Sequence, residues 1–275
     1  MSDLKKAYDE LVEYIKPYCF PIAIKMVRGG EPLPEKVKRP LKDFGKRFST
    51  CQAYNLVRRY GWILALSKED MQCTIGITVL GFDKPLPYYL QGNLCEGMYT
   101  ETKEAGARTE AVTDRFEPGR YHTILMAPLH RCEFQPDVIC LYGNPAQIMR
   151  LIQGALWKRG GRITSGFSGR VDCSDIIVTP QKTQDYNVVL PCTGDRIFAQ
   201  TQDHEMAFSF PAHLLEELLE GLRGTHRGGL RYPITSFLDY QASFPPKYMD
   251  LFPMWEKEKG HEQVSGGGEA PGPTT

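Results

Sequence analysis

The sequence lacks a net charge: 33 Lys and Arg stand against 33 Asp and Glu. That balance removes the electrostatic signature of a general nucleic-acid binder and gives no reason to expect an anionic membrane surface as partner. Long apolar runs are also missing. The longest, Trp62 to Leu66, Ile75 to Phe82 and Val138 to Tyr142, fall well short of the about 18 residues a spanning helix needs. The opening MSDLKKAYDELVEYIK has no basic-then-apolar layout of a secretory signal. A cytoplasmic location with no nucleic acid and no membrane partner is therefore expected. CxxC, HExxH, G-x-x-x-x-G-K-[ST] and G-x-G-x-x-G are all absent, which argues against simple zinc ribbons, zincins, P-loops and dinucleotide folds.

What is present is a chain of 275 residues, 41% hydrophobic, with eight cysteines. This length buries a real core without disulfide staples. In a reducing cytosol the cysteines are expected to be thiols or metal ligands.

Helical periodicity runs from Ser2 to about Lys16, where Pro17 stops it. Ile22 to Val27 reads as a buried strand and residues 28–43 as a connection. Ser49 and Thr50 open a helix over Cys51 to Arg59, ended near Gly61. A strand follows over Trp62 to Leu66, then a capping box from Ser67 to Asp70 whose helical turn carries Cys73. Gly81 to Gly92, with two prolines, reads as loop, and Glu101 to Ala111 as helix. Tyr121 to Ala127, Val138 to Tyr142, Asn187 to Leu190 and Met206 to Phe210 are further strand candidates. Asn144-Pro145 is a helix start, and Pro211 opens a helix with Leu214, Leu215, Leu218, Leu219 and Leu222 on one face. These elements imply an α+β (mixed α/β) fold: one domain over residues 1–255, a mixed sheet flanked by helices, and a disordered tail over 256–275, where the sequence turns Lys/Glu- and then Gly/Pro-rich.

One internal echo concerns the cysteines. Cys51 begins a short helix, a strand follows, and then comes Cys73-Thr74-Ile75-Gly76. Later Cys173 begins a short apolar segment, taken to end at Pro180. A strand follows, and then Cys192-Thr193-Gly194. A thiolate at a helix N-terminus meets the positive end of the dipole and free N–H donors. The same donors hydrogen-bond cluster sulfides, and a neighbouring glycine lets backbone approach the sulfur. Four converging thiolates suit an iron–sulfur cluster or zinc. The bland alternative is that these are buried core thiols. Cys140 and Cys19 read as packing residues, and Cys95 and Cys132 as thiols in polar loops.

The segments Pro21-Ile22-Ala23-Ile24-Lys25, Cys51-Gln52-Ala53, Cys73 with Gly76, Leu80 and Gly81, Pro136-Asp137-Val138, Asn144-Pro145-Ala146-Gln147, Cys173, and Pro191-Cys192-Thr193-Gly194-Asp195-Arg196 fall in an order that resembles the domain-of-unknown-function family 169. This is the ArCR family of archaea and bacteria, and the likeness spans about residues 10 to 225. The resemblance implies a stand-alone prokaryotic cytosolic protein and directs attention to Cys51, Cys73, Cys173 and Cys192. It supplies no substrate.

Three readings follow. The first is a [4Fe–4S] protein with Cys51, Cys73, Cys173 and Cys192 as ligands, acting on a small molecule or with a redox partner protein, with Arg196 or His204 assisting as acid, base or anion holder. The second is a small-molecule or anion-binding regulatory module, in which Arg162 and Arg170 in their Gly-rich loop grip a phosphate or carboxylate. The third is a structural zinc site without redox function. His130-Arg131-Cys132-Glu133 gathers reactive side-chain types, but neighbours in an extended chain point in opposite directions and need not form a site.

Overall fold

The computed structural model describes residues 2–234 and 243–264. Its centre is strand β1 (Ile22–Val27), almost wholly buried because both faces of the sheet around it are covered. The other strands are β2 (Leu64–Ser67), β3 (Thr123–Pro128), β4 (Val138–Gly143), β5 (Asn187–Val189) and β6 (Met206–Pro211). They form one six-stranded sheet in the order β2-β3-β1-β4-β6-β5. The α+β class is as the sequence implies. The sheet, expected to be mixed, is antiparallel in every pair of named strands. Parallel pairing survives only as isolated bridges such as Lys38 with Leu64.

Side chains alternate across each strand, so the sheet divides two cores. One face carries Ile22, Ile24, Met26, Ile124, Met126, Val138, Cys140 and Tyr142. It is covered by the helices Thr50–Tyr60 and Thr74–Val79 and by a wide π-helical turn at Ser174–Val178. The other face carries Ala23, Ala127, Ile139, Leu141, Phe208 and Phe210. It is covered by the helices Ser2–Ile15, Pro145–Ala155 and Leu215–Arg227.

Local chemistry sets the helix ends. Ser49 Oγ accepts from Gln52 N at 3.1 Å and Gln52 Oε1 accepts from Ser49 N at 2.8 Å, a reciprocal cap. Gly61, at φ 71°, closes the same helix in the left-handed region. Asn144 and Gln147 repeat the cap, both bonds at 2.9 Å, with Pro145 in the first turn.

Four expectations change. Cys73 caps a new helix, Thr74–Val79, rather than riding in the turn opened by Ser67. The connection over 28–43 runs into a short helix, Pro40–Phe44, and the proline-rich loop over 81–92 contains another, Pro87–Leu90. The segment after Cys173 does not end at Pro180. It continues into the helix Thr179–Thr183, where Pro180 sits in the first turn and its missing N–H has no intrahelical partner to lose.

Of the tail expected from 256, residues 256–264 continue a helix, Leu251–Val264, and residues 265–275 lie outside the described residues. Among the described residues no helix is long and apolar enough to cross a membrane.

Candidate functional site

Cys51, Cys73, Cys173 and Cys192 all lie at the starts of helical segments on one face of the sheet. Cys51 follows the Ser49 cap as the second residue of Thr50–Tyr60. Cys73 is itself a cap, its Sγ accepting from Gly76 N at 3.4 Å. Cys173 immediately precedes the π-helical turn, and Cys192 precedes the helix Thr193–Phe198. Cys51, Cys173 and Cys192 are buried and Cys73 is half-buried, so Cys73 is the side of the group nearest solvent.

The helices Thr193–Phe198 and Thr50–Tyr60 pack together, bringing Cys51 and Cys192 into contact. A β-carbon on Gly194 would lie 3.6 Å from Cys192 Sγ and 3.8 Å from Cys51 Sγ, so both sulfurs border one point. The Cys51 thiol donates to Cys192 Sγ. That bond is the main reason the Cys192 pKa falls to about 5; burial opposes it, and the backbone N–H groups of Asp172 and Asp195 reinforce it. Donating the bond raises the pKa of Cys51, and burial adds to the rise. Burial above all raises the Cys173 pKa and keeps it a neutral thiol.

Beneath the sulfurs lies a buried polar network. Asp172 Oδ1 is 3.3 Å from Cys192 Sγ, and its Oδ2 accepts from Cys192 N at 3.3 Å. Burial, then the neighbouring Asp195 and Cys192, push the Asp172 pKa far upward, so its carboxyl keeps its proton and donates to the Cys192 sulfur. Asp195 Oδ2 accepts from Tyr142 Oη at 2.9 Å and Thr201 Oγ1 at 3.0 Å, and burial raises its pKa to about 6. Asp195 Oδ1 is buried with no hydrogen-bond partner among the described residues.

Thr201 in turn accepts from Arg58 Nη2 at 3.0 Å. Arg58 pairs with Glu205 at 2.6 Å, both side chains fully enclosed, and its guanidinium lies 4.2 Å over the Tyr142 ring. Hydrogen bonds therefore run unbroken from Glu205 through Arg58 and Thr201 to Asp195, whose charge is felt at Asp172.

As the side chains stand, no three Cys, His, Asp or Glu among the described residues are arranged around a position for a metal ion. The fit to a cluster is in the chemistry of the donors: four free thiols, one held as thiolate, at the N–H-rich ends of helical segments. Asp172, uncharged, adds no repulsion beside them.

The other sequence-derived candidates are placed elsewhere or are engaged. Arg196 follows Cys192 closely, but its Nη1 donates to Gln202 O at 2.7 Å. His204 is exposed, its ring 6.3 Å from that of Tyr18. Arg162 is exposed. Arg170 is buried and pairs with Glu110 at 2.6 Å, so the two arginines do not form a joint anion grip. Cys95 and Cys132, read as loop thiols, are both buried, because their loops fold inward: Cys95 lies 3.6 Å from Glu110, and Cys132 donates to Phe134 O at 3.0 Å. Asp172, Asp195, Tyr142, Arg58 and Glu205 are not among the sequence-derived site candidates. Asp172 and Asp195 adjoin cysteine motifs, which is a usable signal; Arg58 and Glu205 carry none.

Fold and site together define an α+β protein with a buried thiol–carboxylate centre on one face of an antiparallel sheet. The chain belongs to domain-of-unknown-function family 169, described as an uncharacterised ArCR family, whose model matches residues 10–221 and so spans all four cysteines. It is 28% identical over 216 residues to uncharacterized protein MJ0308 of Methanocaldococcus jannaschii, covering 78% of this chain and 89% of that relative. No solved structure matches the chain.

Proposed function

We propose that Cys51, Cys73, Cys173 and Cys192 hold a [4Fe–4S] cluster, and that the protein uses it in redox or Lewis-acid chemistry toward a small molecule or a redox partner protein. The observation that carries this reading is the contact of Cys51 with Cys192, from two distant stretches of chain, on the sheet face where Cys73 and Cys173 also stand at the starts of helical segments. When bound, such a group supplies one-electron transfer, or an open iron if only three cysteines ligate. The chain's own residues supply the surroundings. Helix-start N–H groups donate to sulfur, Asp172 holds a proton against the Cys192 sulfur, and the Asp195–Thr201–Arg58–Glu205 network fixes Tyr142 below them.

Strictly anaerobic purification or reconstitution tests this. Brown protein with absorbance near ~400 nm, matched iron and sulfide, and loss of both in Cys51→Ser or Cys192→Ser are expected. Colourless protein lacking iron and sulfide under both regimes overturns the reading, and zinc found in their place moves the site to the structural class.

The direct contact of Cys51 with Cys192 favours a second reading, a dithiol couple. The Cys192 thiolate would attack an external disulfide and Cys51 would then displace the mixed disulfide, so that two electrons leave as the Cys51–Cys192 bond forms and the external disulfide becomes two thiols. Metal-free protein treated with oxidised glutathione would then carry that one bond. Uncrosslinked or randomly crosslinked thiols would rule the reading out.

A further inference from the structure

A second site lies at the opposite end of the helix Thr50–Tyr60 from Cys51, about 15 Å along its axis by helical rise. There a cavity of about 650 Å³ is lined by Lys5, Lys36, Lys38, His130, Arg131 and Glu133, with Gly61 and Trp62 among its walls. Glu133 is the single carboxylate of that lining. Lys5, Lys36, Lys38 and Arg131 form no ion pair among the described residues, although Lys and Arg elsewhere in the molecule commonly do.

Two of the cations, Lys38 and Arg131, are fixed in place. Lys38 N donates to Ile63 O and Lys38 O accepts from Ala65 N, each at 3.0 Å, pinning that residue to the edge strand β2. Its ammonium lies 5.0 Å from the centre of a Trp62 ring. Arg131 Nη1 donates to Gly61 O at 2.6 Å, which holds its guanidinium at the wall. His130 is wedged between the rings of Tyr8 and Phe20, and its Nδ1 is buried without a hydrogen-bond partner.

We infer that this cavity binds a phosphate-bearing small molecule. Four unpaired cations about one concave space repel one another, and an anion among them removes that cost. Three of the four are lysines, point charges with no planar fork, which suits a tetrahedral phosphate better than a flat carboxylate. The site owes nothing to the cysteines, and its test is independent of theirs.

The full chain is titrated with pyrophosphate by calorimetry at low ionic strength. Saturable one-to-one binding is expected, weakened about tenfold or more by Lys36→Gln combined with Lys38→Gln, and weakened by added salt. Lys36→Arg with Lys38→Arg keeps both charges and is expected to bind, which separates loss of charge from loss of fold. Arg162→Gln is expected to bind as the parent does. Absence of saturable binding, unchanged affinity in the double glutamine variant, or loss of binding in Arg162→Gln would each overturn the assignment.

Discussion

The two faces of the sheet solve the same burial problem with different materials. The face under the helices Pro145–Ala155 and Leu215–Arg227 is packed by Ile148, Leu151, Leu218, Leu219 and Leu222, and its helices approach through glycines. The face under the cysteines buries Asp172, Asp195, Glu205 and Arg58 beside apolar neighbours. Burying charge is costly unless every group is partnered. A chain that needed only stability could cover both faces with leucine; the other face buries a cation, Arg150, held by Gln153 and Thr225, whereas the cysteine face buries the carboxyl groups of Asp172, Asp195 and Glu205, and that acidic investment marks where chemistry is to be sought. Asp195 Oδ1 and the Tyr54 hydroxyl, both buried without partners there, point the same way.

The largest expected effect breaks the polar face. Glu205 accepts from Arg58, from Arg59 at 3.0 Å and from Gln202 N at 2.6 Å. Glu205→Ala leaves the Arg58 guanidinium enclosed and unpaired, and a loss of about 3–5 kcal/mol in denaturant unfolding is expected. A change below about 1 kcal/mol would show that Arg58 finds water or another partner, and that the network is not structural. Next comes the apolar face. A β-carbon at Gly221 would fall 1.8 Å from Gly154 O, a backbone atom that no rotamer moves. Gly221→Ala should force the two helices apart, costing about 1–3 kcal/mol while leaving metal or thiol chemistry intact.

How much of this could be read in advance differs between the faces for a physical reason. Capped helices announce themselves locally: Ser49 with Gln52 and Asn144 with Pro145 and Gln147 are adjacent in sequence, and so are the bonds they make. Strands β1 and β4 show as short apolar runs. The helix Thr74–Val79 does not, because TIGITV is rich in β-branched residues, which disfavour a helix; the Cys73 cap and the packing around Gly76 override that preference. The four cysteines stand out in the sequence because a repeated pattern sets one at a helix start and the next beside a glycine after a strand, Cys51 with Cys73 and Cys173 with Cys192. The carboxylates below them were not, since an aspartate beside a cysteine looks the same whether it faces solvent or core. Arg58 and Glu205 are far apart in the chain, and Arg170 looks like a free anion holder in sequence because its partner Glu110 lies on a distant helix, Lys103–Ala111. Pairing of this kind is tertiary, and no local pattern encodes it.

A smaller effect separates the faces by pH. Burial raises the Asp195 pKa from its ordinary 3.8 to about 6, and that of Asp175 to about 7. The folded chain therefore binds more protons than the unfolded one between these values, and stability from these groups falls as pH rises from about 4 towards 7. Glu205 acts oppositely. Burial would raise its pKa, but the bonds from Arg58 and Gln202 outweigh that and lower it, so its contribution is lost as pH falls below the ordinary carboxylate range. Asp195→Asn should flatten the decline between pH 4 and 6 by about 1–3 kcal/mol. Denaturant midpoints across that range check it, and an unchanged slope would mean Asp195 is ionised without penalty.

The smallest effect sharpens the comparison most, because it applies one perturbation to both faces. Ser49 and Asn144 are equivalent caps, each closing a reciprocal box with a glutamine. Replacing either with alanine removes one acceptor for a helix N–H and should cost about 1 kcal/mol. Only the Ser49 helix begins at a functional group, since Cys51 lies two residues beyond the cap and donates to Cys192. Fraying that first turn loosens the donor that holds the Cys192 thiolate. In metal-free protein, Ser49→Ala should therefore slow the reaction of the most reactive thiol with a disulfide reagent near pH 5, where thiolate fraction limits the rate. Asn144→Ala, with the same loss of stability, should leave that rate unchanged. Equal rates in the two variants would mean that the thiol pair is held by the sheet and the polar network beneath it, and that the helix start contributes only its share of folding energy.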